Sequence, residues 1–220
     1  MKALSIIVEG KTEMKFVKDH LTPYFAQYHQ IYDVRPITLE TSVGHKGGDL
    51  RYKRYKSNLK KLLAGSGDFI VSSLIDFYKL HEDFPEYEQA KKIPDVEERV
   101  SYLEQACIND IADHRFIPYI QLHEFEALVF TNAKGFADIT MSEHSRNKIE
   151  KIIQKYDNPE LINDGATTAP SKRLKRLIPI YQKPFHGNLI IQNNGGIKTI
   201  KEKCPRFNVW IDTLVTRLKT

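Results

Sequence analysis

The chain has 220 residues, with 33 Lys+Arg against 28 Asp+Glu and a formal net charge of +5 at neutral pH. Hydrophobic residues make up 41% and charged residues 28%, which supplies a core and argues against a disordered polyelectrolyte. With Gly at 11 and Pro at 10, collagenous and linker-like chains are also excluded.

Ala3-Leu4-Ser5-Ile6-Ile7-Val8 is a short apolar run rich in β-branched residues and reads as a buried strand ending at Glu9-Gly10. Thr12 opens a helical pattern with Met14, Val17 and Leu21 on one face, which Pro23 should interrupt. Val34 to Leu39 alternates around Pro36, as an edge strand would. A glycine loop, Ser42 to Asp49, leads into a helical period from Leu50 to Ala64 with Leu59, Leu62 and Leu63 as its apolar face. Phe69 to Ile75 is a second buried strand and stops at Asp76. Helical patterns follow at about Glu86 to Lys92 and Asp95 to Asp113, then a third strand candidate from Phe116 to Leu122, ending at His123-Glu124. The rest is mostly helical, broken at Asn158-Pro159, Gly165 to Pro170 and Lys183-Pro184. Strands separated by helices predict an α/β fold with a mainly parallel central sheet flanked by helices.

Two cysteines, Cys107 and Cys204, build neither a disulfide framework nor a four-cysteine zinc site and read as free thiols of a reducing compartment. The first ten residues lack a signal-peptide core, and no apolar run approaches the ~20 residues of a membrane span. The expectation is a cytoplasmic, soluble protein.

Each apolar strand ends in an acid: Glu9, Asp76 and Glu124. In an open parallel sheet the ligand site lies beyond the carboxyl ends of the strands, so these side chains should converge there. Gathered carboxylates repel one another, and a hard divalent cation cancels the penalty. Mg²⁺ (or Mn²⁺) suits such oxygen donors and can activate water and stabilise a leaving oxygen. The competing account is that each acid serves only the positive end of a following helix. Other motifs fail on residue identity. Gly10-Lys11-Thr12 lacks the first glycine of a phosphate-binding loop, since position 5 is Ser5. His123-Glu124-Phe125-Glu126-Ala127 lacks the second histidine of a zinc-protease helix.

Val8-Glu9-Gly10-Lys11-Thr12-Glu13 resembles the first strand and turn of Toprim domains, the acidic Mg²⁺-binding module of topoisomerases, primases and OLD-type nucleases. Over nearly its full length the chain is similar to a Toprim-like family of bacterial proteins catalogued as a domain of unknown function. The matching stretches are VEGKTE, GHKGG, SLIDFYKL with Phe84-Pro85, IPYIQLHEFEALVF, Pro170 to Leu174, and GGIKTIKEKCPRFNVWIDTL. The resemblance implies a Toprim-like core at residues 1–130, with a helical insertion at about 86–113, and a helical C-terminal region at 131–220 packed on it. It also implies a Mg²⁺-dependent nuclease. Some relatives are effectors of anti-phage systems such as PARIS, and members often neighbour ABC- or AAA-type ATPases.

By the same resemblance Glu9 matches the Toprim glutamate, which binds metal or acts as general acid/base, and Asp76 matches the first acid of the Asp-x-Asp pair. The second position is Tyr78, a poor Mg²⁺ ligand, so Glu124 or Glu126 is left to replace it. Residues two apart share a side when extended and diverge by roughly 200° on a helix, so sequence leaves that choice open. Lys11 reads either as a phosphate contact or as a solvated turn lysine. His123 reads either as positioning a water or phosphate or as a hydrogen-bonded structural residue. Glu13 is already explained by the dipole of a first helical turn.

Lys46, Arg51, Lys53, Arg54 and Lys56, and the cluster Lys172, Arg173, Lys175 and Arg176, are candidate contacts to a nucleic-acid backbone or solvated basic faces. Tyr52 and Tyr55 read either as base-stacking residues or as core. The leading expectation is a nuclease whose partners are nucleic acid (DNA or tRNA), an ABC- or AAA-type ATPase and a second copy in a homodimer. The alternatives are a catalytically degenerate scaffold for an ATPase and phosphoryl or nucleotidyl transfer to a small substrate.

Overall fold

Period-two alternation within the apolar runs gives each central strand two faces, and both are buried. In a computed structural model describing residues 2–39, 50–78, 80–162, 165 and 167–220, β1 (Ala3–Val8) turns Leu4, Ile6 and Val8 to one side and Ile7 to the other. Ile70 and Leu74 of β3 (Phe69–Asp76) join the first set, and Val71 and Ile75 join the second. A strand covered on both faces needs a near-continuous apolar run, which is what these residues supply.

The strand order is β2-β1-β3-β4, every pairing is parallel, and β5 extends the ladder on β3 beyond β4. β2 (Val34–Thr38) is an edge strand in which Pro36 lies opposite Ile6. An edge tolerates the missing N–H of proline. The expected third strand is two short ones, β4 (Phe116–Ile117) and β5 (Ile120–Gln121), because Pro118 removes a ladder donor between them. The hydroxyl of Ser73 fills the gap by accepting the N–H of Tyr119 at 3.2 Å.

α1 (Lys11–Phe16) and α2 (Thr22–His29) form one continuous rod rather than stopping at Pro23. A π-helical turn, Val17–Leu21, joins them, and Thr22 gives its hydroxyl to the Val17 carbonyl at 3.0 Å. Pro23 thereby falls in the first turn of α2, where no backbone N–H is required. This rod covers the first sheet face together with α8 (Asn188–Asn193), α9 (Ile197–Lys203) and α10 (Pro205–Lys219). α3 (Tyr52–Leu63), α4 (Tyr87–Ala90) and α5 (Val96–Ile111) cover the second. α6 (Glu143–Lys155) and α7 (Pro170–Leu177) complete the C-terminal half. Phe207, Ile211 and Leu214 belong to the same buried cluster as Leu4 and Ile6, so N- and C-terminal residues share one core.

Two buried serines in the middle of β3 fasten the layers to the sheet. Ser72 donates to the Ile117 carbonyl at 2.6 Å and accepts the indole N–H of Trp210 at 2.9 Å. Ser73 accepts the Tyr55 hydroxyl at 2.8 Å. Tyr55 is therefore core, and Tyr52 beside it donates to Asp110 at 2.6 Å. Neither tyrosine is presented for stacking on bases. Among the described residues, no helix is long and apolar enough to cross a membrane.

Removing the Tyr55 hydroxyl takes one bond from a buried serine that keeps others. Tyr55→Phe should lower the unfolding free energy by about 1 kcal/mol, read as a lower urea midpoint at unchanged slope.

Candidate functional site

The chain leaves β1, builds β2 on one side of it, and returns to place β3 on the other. The carboxyl ends of β1 and β3 are thus the point where the topology reverses, the usual place for a ligand in an open α/β sheet. Glu9 follows β1 there and Asp76 ends β3. Glu9 Oε1 accepts the Asp76 N–H at 2.8 Å, and Asp76 Oδ1 accepts the Phe125 N–H at 2.8 Å. Glu9, Asp76 and the turn after β5 are therefore linked in one chain of hydrogen bonds.

Two further carboxylates join them. Glu13 is the third residue of α1 and folds back onto the backbone N–H groups of Gly10 and its own residue, as a helix-capping glutamate does. Glu126 lies in the kinked 3-10 segment Phe125–Thr131, is buried, and pairs with the Lys183 ammonium at 2.7 Å. Lys183 opens a π-helical turn, Lys183–Gly187, and remains partly exposed. Glu9, Glu13 and Asp76 also keep part of their surface open to solvent.

The electrostatics of this group are unfavourable as it stands. Burial pushes the Glu9 carboxyl up to about 7; the Asp76 N–H opposes the rise, and Glu13 and Glu126 add to it. Asp76 is held well above the usual carboxylate range, first by burial and then by Glu9, Glu13 and Glu126. Burial likewise raises Glu13 and Glu126, with Lys183 opposing both. Burial alone would lower the Lys183 ammonium, but attraction to Glu126 outweighs it and the net shift is upward.

The other expected site residues fall in different places. Glu124 has extended backbone, and its carboxylate turns to α7, accepting the Ser171 N–H and the Ser171 hydroxyl, each at 2.8 Å. It holds the positive end of α7, a helix distant in the chain, and not that of the helical segment directly after its own strand. His123 is buried at a left-handed φ of 60°, and its carbonyl accepts the Tyr78 N–H at 2.7 Å. That turn aims the Phe125 N–H at Asp76. Lys11 is exposed at the start of α1. Lys53 and Lys172 are exposed, as is Arg51, while Arg54 and Arg173 are half-buried. Lys46 lies outside the described residues.

Lys183 and Glu13 are the members of this group that sequence reasoning did not select. Lys183 precedes Pro184 and reads only as a break between helices, with no periodicity to mark it. Glu13 has a sufficient reason to exist in its helix dipole. The one usable sign was Glu13's place within the VEGKTE stretch.

A family model for a domain of unknown function, DUF4276, matches residues 8–215, nearly the whole chain. The chain belongs to this family. No curated protein and no solved structure matches it. The DUF4276 match begins at the end of β1 and extends into α10, so it takes in every residue of the carboxylate group and Lys183.

The donor set is all carboxylate, the hard-oxygen chemistry that suits Mg²⁺ or Mn²⁺. Among the described residues, no three His, Cys, Asp or Glu side chains stand together at metal-holding spacing. An ion held here would draw on no more than two of these carboxylates and would complete its shell with water, as Mg²⁺ can.

Glu9 carries an ordinary value of 4.5 when unfolded and about 7 when folded. Between these the folded protein keeps a proton that the unfolded chain has lost. Its stabilising contribution is thus complete below pH 4.5 and is lost as pH rises through about 7. In chelator, the thermal midpoint should fall over that interval, and Glu9→Gln should flatten the fall. Glu124→Ala should cost about 2–3 kcal/mol at neutral pH, read as a lower thermal midpoint, because two donors at the start of α7 lose their acceptor.

Proposed function

We propose that this chain is a Toprim-like, Mg²⁺-dependent nuclease that hydrolyses phosphodiester bonds of DNA or RNA. Glu9 and Asp76 hold the ion. The observation that carries this reading is the meeting of these two like-charged carboxylates, on neighbouring strands, at the reversal point of the sheet. Such a pair is unfavourable alone and favourable around a divalent cation. Bound there, Mg²⁺ supplies a Lewis acid for a phosphoryl oxygen and a water of lowered pKa.

The remaining residues have roles in this reading. Lys183, kept charged by Glu126 and partly open to solvent, meets a phosphate oxygen beside the ion. Glu124 anchors α7 by its first turn, which brings Lys172 and Arg173 to the site's flank to grip the backbone of the nucleic acid. Arg51, Lys53 and Arg54 begin α3 on the same, carboxyl-terminal side of the sheet. The resemblance to Toprim-like effectors extends the proposal to an anti-phage role under an ATPase partner.

The test is cleavage of supercoiled DNA and of tRNA with Mg²⁺ or Mn²⁺. Glu9→Ala should lose about 100-fold or more in rate while keeping its thermal midpoint. Undiminished cleavage by that variant removes the proposal.

A catalytically degenerate scaffold is the second reading. Tyr78 stands where the Toprim pair has its second acid, and no third carboxylate completes a ligand set among the described residues. Calorimetric titration with Mn²⁺ separates the two: saturable heat that Asp76→Asn abolishes supports the enzyme, and no heat at millimolar Mn²⁺ supports the scaffold.

A further inference from the structure

The edge of the sheet opposite β2 is formed by β4 and β5, interrupted at Pro118. The first halves of α5 and α10 flank it and leave a groove of about 590 Å³ between them. Tyr119 and Trp210 form its floor, stacked at 4.5 Å and nearly parallel. Pro118 and Val209 give it an apolar wall, and Val209 is 64% exposed, the second most exposed large apolar side chain of the described residues after Tyr32.

Its rim is acidic. Glu97 and Glu98 lie in the first turn of α5, beside the groove. The nearest cation is spent elsewhere: Arg206 points inward to Glu104 at 2.9 Å and to Ser101 at 2.8 Å. No cation pairs with Glu97 or Glu98 among the described residues. The helix dipole accounts for acids at this position, but it does not account for an exposed valine and an aromatic floor facing them. On a protein whose net charge is +5, this is a local reversal of sign.

We infer that this groove docks a cationic amphipathic segment of a partner protein. An apolar stripe seats on Val209 and Pro118 above the Tyr119–Trp210 stack, and flanking Lys or Arg side chains meet Glu97 and Glu98. The same rim repels a nucleic-acid backbone, so this face is distinct from the basic helices α3 and α7. The inference does not depend on the nuclease reading.

Trp210 is the single tryptophan of the chain, so its fluorescence reports occupancy of the groove directly. The probe is a synthetic Leu/Lys amphipathic helix of roughly five turns, with a Leu/Glu counterpart of equal length as control. The Leu/Lys peptide should change Trp210 emission saturably, and the Leu/Glu peptide should not. The double variant Glu97→Lys/Glu98→Lys should weaken binding about tenfold or more, and Val209→Lys should do the same. Glu98 and Val209 are exposed and Glu97 is half-buried at the rim, so the variants should keep the circular dichroism of the parent.

Unchanged affinity in both variants, or an equal response to the Leu/Glu peptide, overturns the proposal. So does a concentration-dependent shift of Trp210 emission without peptide, matched by a dimer in sedimentation that Val209→Lys dissolves. In that case the occupant is a second copy of the chain.

Discussion

The fold brings two negative charges to one place and has only part of the means to hold them there. Glu9 and Asp76 follow neighbouring parallel strands whose register is fixed by six paired positions, from Ala3–Phe69 to Val8–Leu74. A slip of one residue would exchange every buried side chain of β1 for its opposite face, so the register is rigid and the acids cannot drift apart. Backbone N–H groups relieve some of the strain: that of Asp76 for Glu9, and that of Phe125 for Asp76. Lys183 relieves more through Glu126. What is left is four carboxylates facing one ammonium.

The C-terminal half is what finishes this arrangement. The turn at His123 can be made because its φ of 60° lets the carbonyl reach Tyr78 N–H, and this continues the ladder on β3 for one more step. Phe125 then offers its N–H to Asp76, Glu124 reaches out to α7, and Glu126 reaches back to Lys183. Three successive functional contacts in three directions come from one short stretch, and each ties a different C-terminal element to the sheet. Glu160 plays a similar structural part elsewhere, accepting the Arg206 N–H at 3.0 Å and the Phe207 N–H at 3.2 Å at the start of α10.

Much of this was legible in the residues. The runs 3–8 and 69–75 could only be buried strands, Pro36 marked an edge, and two of the three strand-end acids, Glu9 and Asp76, do come together at the sheet's reversal point, while Glu124 turns to α7. Pro23 misled because the helix is carried past it by a π-helical turn, Val17–Leu21, in which the Thr22 N–H bonds the Val17 carbonyl just before the proline. Pro118 divided a strand that composition alone made whole, and Ser73 repaired the gap from the neighbouring strand. Choosing between Glu124 and Glu126 required local backbone. Glu124 is extended with φ −133° and ψ 149°, whereas Glu126 is inside the kinked 3-10 segment, so the two diverge. Lys183 was beyond reach because it is brought to the site by the packing of its turn, not by any pattern in its own segment.

An anionic group of this kind has two ways of reaching neutrality, and they compete. Protons are the first: with Glu9 raised to about 7, the group takes up protons near physiological pH when nothing else is bound. A divalent cation would be the second, and by displacing those protons it would return Glu9 and Asp76 to the ionised state that suits a hard cation. Lys183 contributes a fixed positive charge to either state, too little to satisfy four carboxylates and enough to spare Glu126. The pairing of Glu126 with Lys183 therefore leaves Glu9 and Asp76 as the carboxylates most in need of a cation. They are also the two that the sheet places side by side.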